Sequence, residues 1–181
     1  MKEGPQQPPA DTGNSRRRVL SRLAGIAIAA PAAVSTLAAE RKTSAADLKK
    51  HFLGMIQAWN DHDAKKIASF FSQDSTYTDI ALELTHHGKD EIIEFAEGTF
   101  KGFPDFHLVI TSCVSDAQLV AAEWDMIMSW TGPYPALGAV PTGKTYTLKG
   151  ASVSHFDAHG KIRQNTDYWN LQSFIKQMKS Q

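Results

Sequence analysis

Cysteine is almost absent from the 181 residues of this chain. The single Cys113 excludes an intrachain disulfide framework and any cysteine-rich metal site. It stands in an apolar, strand-like run, the setting of a buried inert thiol rather than a nucleophile. A surplus of one charge is lacking too, because 19 Lys and Arg balance 19 Asp and Glu. The balance hides an asymmetry: five basic residues (Lys2, Arg16, Arg17, Arg18, Arg22) face two acidic ones (Glu3, Asp11) before residue 40. Removing those five and two from the 19 of each sign leaves the rest at −3. A mildly acidic body with no Lys/Arg cluster argues against nucleic acid as a partner. No glycine loop cradles phosphate. The Gly- and Pro-rich stretch Gly132–Gly143 lacks the strand–loop–helix context, so no nucleotide cofactor is expected. Metal-ligand spacing is missing as well. His86 and His87 are neighbours on a predicted strand and point to opposite faces, so they cannot easily share an ion, and no metal is expected. There is no internal repeat, and the length and apolar content suit one domain.

A long uninterrupted apolar run is also lacking. The stretch Leu23–Ala39 is mostly Ala and is broken by Pro31, which makes it marginal against the roughly 20 apolar residues a membrane span needs. Ahead of it, residues 1–14 are rich in Pro, Gln and Gly and read as a disordered lead. They run into Ser15-Arg16-Arg17-Arg18-Val19-Leu20-Ser21. Paired arginines, a weakly apolar run and small residues at its end resemble a bacterial twin-arginine export signal. Ser15-Arg16-Arg17 and Leu20 match that pattern, whereas Val19 stands where Phe is usual. The resemblance implies recognition by the twin-arginine export machinery, cleavage near Ala38 or Ala39, and a periplasmic or extracellular mature protein. Leu37 departs from the small residue preferred before a cut after Ala39. An uncleaved membrane anchor is the alternative. Residues 1–39 thus read as leader, 40–46 as linker and 47–181 as the folded domain.

In the body, Leu48, Phe52, Met55, Ile56 and Trp59 recur at helical spacing, which predicts a helix from Asp47 to about Asn60. Ser44 is a candidate cap, with Asp47 as an imperfect capping-box partner. Asp63 can cap a short helix carrying Ile67, Phe70 and Phe71. Strands are predicted over Ser75–Ile80 and Leu82–His87, and a helix over Lys89–Phe100. From Phe106 the period becomes two, giving long strands at Phe106–Cys113, Leu119–Thr131, Thr145–Phe156 and Lys161–Trp169, followed by a short helix, Leu171–Met178. The order predicts an α+β domain, a curved antiparallel sheet wrapped around helices on one face, with a concave central pocket. Leu119–Thr131 reads as apolar on both faces, so a second subunit is expected to cover the outer one, and a homodimer is expected.

The last strand holds the most chemically suggestive residue. Asp167 lies beside Tyr168 and Trp169, and a carboxylate in an aromatic, half-apolar setting has its pKa raised toward the range of a proton-transfer group. The bland reading is an exposed strand acid paired with Arg163. Trp59, Tyr77, Trp124 and Trp169 are candidate pocket aromatics, and His107 is a candidate pocket or orienting residue. Aromatic residues at these spacings also suit a core. Asp79, close behind Tyr77, reads by preference as a turn carboxylate, with a place at the cavity mouth as the alternative.

Several local patterns occur in a telling order: Ala58-Trp59-Asn60, Phe103-Pro104-Asp105-Phe106-His107, Gly138-Ala139-Val140-Pro141-Thr142-Gly143-Lys144, Gly150-Ala151-Ser152-Val153, and the Gly160-Lys161-Ile162 turn leading to Asp167. Together they resemble the SnoaL-like polyketide or ester cyclases, a branch of the cone-shaped nuclear-transport-factor-like superfamily, over about Asp47 to Met178. The resemblance implies a cone fold and cofactor-independent acid/base chemistry on a small hydrophobic carbonyl compound. It implies Asp167 as the general acid/base of an aldol-type ring closure. A non-catalytic module binding a hydrophobic small molecule outside the cytoplasm is the alternative.

Overall fold

The computed structural model describes residues 43–180; the expected leader and the stretch that resembles an export signal lie outside them. Helix α1 (Ala45–Asn60) starts inside the predicted linker, because Ser44 and Asp47 form a complete capping box. The Ser44 hydroxyl accepts from Asp47 N at 3.2 Å and Ser44 N donates back to the Asp47 carboxylate at 3.3 Å. Asp63 caps α2 (Ala64–Ser69) by accepting from Lys66 N at 2.9 Å. Strand β1 (Phe71–Asp79) begins four residues before the expected Ser75, whereas the short β2 (Leu84–His87) begins two residues after the expected Leu82. Helix α3 (Gly88–Gly102) follows, then β3 (His107–Asp116), β4 (Leu119–Ser129), β5 (Thr145–Phe156), β6 (Ile162–Trp169) and α4 (Leu171–Lys179).

The six strands form one sheet in the order β2-β1-β6-β5-β4-β3. One pairing departs from the expected antiparallel pattern: β1 runs parallel to β6. Alternation sets faces and not directions, and only strands far apart in the chain can pair this way, since parallel neighbours need a long connection. Bulges in β1, β3 and β6 help the sheet to curl around the helices. Its inner face buries Val120, Ala122, Trp124, Met126 and Met128 of β4 against the α1 stripe of Leu48, Phe52, Met55 and Trp59. The outer face of β4 corrects the expectation drawn from it. Beside Leu119 and Ile127 it carries Glu123 and Asp125, and Asp125 pairs with Lys149 at 2.9 Å. A large apolar outer face is therefore absent from this strand, and nothing on it demands a second cover.

The recurrent sequence patterns are largely architectural. Asn60 clamps α1 to β3, accepting from Leu108 N at 2.8 Å and donating to Leu108 O at 2.9 Å. Asp105 accepts from Ser129 N at 2.6 Å, which joins the start of β3 to the end of β4. Thr142 shares a 2.5 Å hydrogen bond with the Tyr146 hydroxyl, and the Lys144 ammonium donates to the carbonyls of Met178 and Ser180 at 3.2 and 2.6 Å, fastening the end of α4. Among the described residues no helix is long and apolar enough to cross a membrane.

Candidate active site

Two strands that meet in parallel bring the acids together. Alternation places Asn165 and Asp167 of β6 on the inner face. Their register partners across the ladder are Tyr77 and Asp79 of β1. On the other side, β5 sets Ser152 opposite Asp167 and Ser154 opposite Asn165. Both carboxylates line a cavity inside the cone.

Three donors hold the half-buried Asp167. Ser152 Oγ and Asn165 Nδ2 donate to Oδ1 at 2.6 and 2.8 Å, and the Tyr77 hydroxyl donates to Oδ2. Two of these donors are themselves oriented: Trp124 Nε1 donates to Ser152 Oγ at 2.9 Å, and Ser154 Oγ donates to Asn165 Oδ1 at 2.6 Å. A carboxylate accepts about four hydrogen bonds, so Oδ2 keeps a lone pair for a substrate proton.

Burial pushes the Asp167 carboxyl up to about 6, against the opposing pull of Ser152, Tyr77 and Asn165, and the neighbouring Asp79 adds to the rise. Loss of solvation outweighs three favourable hydrogen bonds here. Asp79 is buried and raised by the same cause. It is restrained by Trp169 Nε1, at 3.0 and 2.9 Å from its two oxygens, and by Leu82 N at 3.0 Å. Burial first, and Asp167 second, hold the Tyr77 phenol well above its usual range, so it stays protonated and donates. Among the described residues neither acid forms an ion pair.

Arg163 does not neutralise Asp167. It is the extra residue of the β6 bulge: Phe156 faces Ile162 and His155 faces Gln164, leaving Arg163 unpaired between them. The bulge inverts the alternation, so Arg163 is exposed although it stands four residues before Asp167.

The cavity wall is otherwise apolar and aromatic, with Trp59, Phe95, Phe106, Leu108, Met126 and Phe174 among its lining. Its free space is about 60 Å³, room for roughly four to six waters, comparable with one small ring. Trp59, Tyr77, Trp124 and Trp169 line it together with Asp167. His107 does not. It is exposed, because Phe106 and Leu108 point inward and their neighbour must then point out. Two participants, Ser152 and Asn165, were not among the site candidates read from sequence, and Asp79, weighed for the cavity mouth but read by preference as a turn acid, lines the cavity. Asn165 could have been found by parity, two residues before Asp167 on the same face. Ser152 depends on the strand register, which the sequence does not display.

Among the described residues no three His, Cys, Asp or Glu side chains are grouped to hold a metal ion. His86 and His87 diverge as their strand parity requires: His86 stacks on Phe95 at 4.4 Å between ring centroids, whereas His87 is exposed.

The SnoaL-like domain family matches residues 52–165. The chain belongs to the SnoaL-like domain family. The matched span ends just before Asp167, so the role of that residue rests on the site's own geometry. The cyclase aurE of Calcarisporium arbuscula is 31% identical over 114 residues, covering 62% of this chain and 79% of that protein. Solved structures share the fold. A candidate SnoaL-like polyketide cyclase from Shewanella denitrificans superposes with a TM-score of 0.65 at 21% identity, covering 74% of this chain and 98% of the other. AclR of Streptomyces galilaeus, described as a candidate hydroxylase, gives 0.64 at 24% identity, covering 75% and 86%. These likenesses establish the SnoaL-like cone, and the family relationship favours a cyclase- or isomerase-like enzyme.

Proposed function

We propose that this SnoaL-like protein is a cofactor-independent enzyme that moves a proton next to a carbonyl in a small hydrophobic compound, leading to aldol-type cyclisation or isomerisation. Asp167 is its general acid/base. The supporting observation is a carboxylate raised to about 6 inside an aromatic cavity, held by three donors and free of any ion pair among the described residues. In the ionised form Oδ2 takes the proton from the carbon beside the carbonyl. The resulting acid returns it to carbon or oxygen after the electron pair has shifted, so the carboxylate is regenerated. The fixed donors keep the oxygen in one place, which lowers the orientational cost of reaction.

A panel of small neutral ketones and 1,3-diketones in heavy water provides the test, with uptake of deuterium beside the carbonyl followed by NMR. Wild type should accelerate exchange for part of the panel, and Asp167→Asn should lose the acceleration by about 10²- to 10⁴-fold. Binding without exchange in either protein would instead favour a module that holds a hydrophobic ligand.

Export is a proposal carried by the leader alone: Ser15-Arg16-Arg17 with Leu20, followed by the Ala-rich run to Ala39. Mass spectrometry of the protein from its native host should find a mature N-terminus near Glu40. An intact Met1–Ala39 segment would contradict it.

A further inference from the structure

Proton abstraction beside a carbonyl needs a donor for the oxygen that gains charge. Most of the donors around the cavity are already committed. The Tyr77 and Ser152 hydroxyls and Asn165 Nδ2 serve Asp167, Trp124 Nε1 serves Ser152, and Trp169 Nε1 serves Asp79. Turning any donor of Asp167 toward a substrate would strip the carboxylate that has to act as base.

One hydroxyl in the lining differs. Tyr134 stands in the Gly132–Gly143 loop, and its polar neighbour is Thr99 of α3. Thr99 already donates to Phe95 O at 2.9 Å. In its contact with Tyr134 the Thr99 hydroxyl is therefore the acceptor and the phenol the donor, so an incoming oxygen would replace a neutral hydroxyl as acceptor and leave the hydrogen bonds of both acids in place. We propose that Tyr134 is a catalytic residue, the hydroxyl that donates to the substrate carbonyl oxygen while Asp167 takes the proton from the adjacent carbon.

The loop is built to hold this side chain. Thr131 N and Gly132 N both donate to Gly102 O, at 3.1 and 3.0 Å, which pins the start of the loop to the end of α3. That approach requires glycine on both sides. A Cβ on Gly132 would fall 1.8 Å from Lys101 O, and one on Gly102 would fall 3.0 Å from Tyr134 Cβ. The Tyr134 ring then packs edge-on against Phe103, with centroids 5.1 Å apart. Burial pushes the Tyr134 phenol up to about 12, so it is protonated at neutral pH and available as a donor.

The inference rests on the proposed carbonyl chemistry, and cyclopentanone serves as the probe for both. Two measurements are made on wild type, Tyr134→Phe and Asp167→Asn: the infrared C=O stretch of the bound ketone, and its deuterium exchange by NMR. The phenylalanine variant keeps the ring against Phe103, and circular dichroism checks its fold. Tyr134→Phe should raise the stretching frequency of the bound ketone and lower kcat by about 10²-fold, with KM changed less than about twofold. If wild type exchanges the ketone and Tyr134→Phe matches it in stretch and kcat, the inference fails while the role of Asp167 stands. If the stretch depends on Tyr134 but wild type gives no exchange, the contact is supported and the base is refuted. A ketone that does not bind at all overturns both.

Discussion

Asp167 and Asp79 are neighbours in one ladder, and each shapes how the other titrates. Because the Asp167 carboxyl is raised to about 6, the proposed base ionises as pH rises, and kcat/KM on an accepted ketone should climb through about pH 6 and then level. The Asp79 charge contributes to that rise. Replacing Asp79 with Asn should therefore move the midpoint to lower pH, a shift that simple loss of packing would not produce. The two acids titrate as a coupled pair, so the profile reports the pair. Stability carries the same signature with a definite sign. A folded-state pKa above the ordinary carboxylate value of 3.8 means that the folded protein keeps a proton which the unfolded chain releases. The contribution is fully present below about pH 4 and is lost as pH rises through about 6, by at most about 3 kcal/mol and less where cavity water screens the charge. Asp167→Asn should flatten that part of the stability–pH curve in urea melts.

Elements, rather than isolated residues, determine whether these acids meet. Helical stripes, the alternating strands and the Gly160 turn were readable from apolar spacing, because burial on one face leaves a period in the sequence. The parallel β1–β6 pairing was not, and it is what sets Asp79 beside Asp167. Nor was the bulge at Arg163, where one extra residue reverses the faces and removes the obvious ion-pair partner. Gly150 shows how closely packing and site are joined. A Cβ there would lie 2.2 Å from the Trp124 ring, whose indole orients Ser152. Gly150→Ala should cost about 1–3 kcal/mol in urea melts by overpacking and should also weaken activity, because Ser152 loses its support. Helix α4 offers a contrast. Lys144 fastens its carbonyl end, an interaction worth about 1 kcal/mol at an exposed site. Lys144→Ala should speed hydrogen exchange across Leu171–Lys179 while leaving the sheet amides protected.

At the scale of the whole molecule, the cone supplies an interior with two acids and an aromatic wall, which is how a six-stranded sheet and four helices make a setting suited to the proposed proton transfer. The central aromatic residues were legible because they belong to buried stripes. Their participation was not, since Trp124 and Trp169 act through indole N–H bonds that depend on tertiary register. A homodimer remains a proposal. It is supported by the exposed Val109, Ile127 and Tyr168 on the outer sheet face, set against the charges of Glu123 and Asp125 on the same side of β4. Light scattering of the domain from residue 40 onward should return twice the monomer mass, and a monomer at micromolar concentration would end that reading. The claim at the centre of the account is that the cavity holds Asp167 as a proton-transfer group near neutral pH. A ¹³C NMR titration of its side-chain carboxyl, assigned by comparison with Asp167→Asn, tests this most directly. The account predicts a midpoint near 6; a midpoint at or below the ordinary carboxylate value of 3.8 would contradict it.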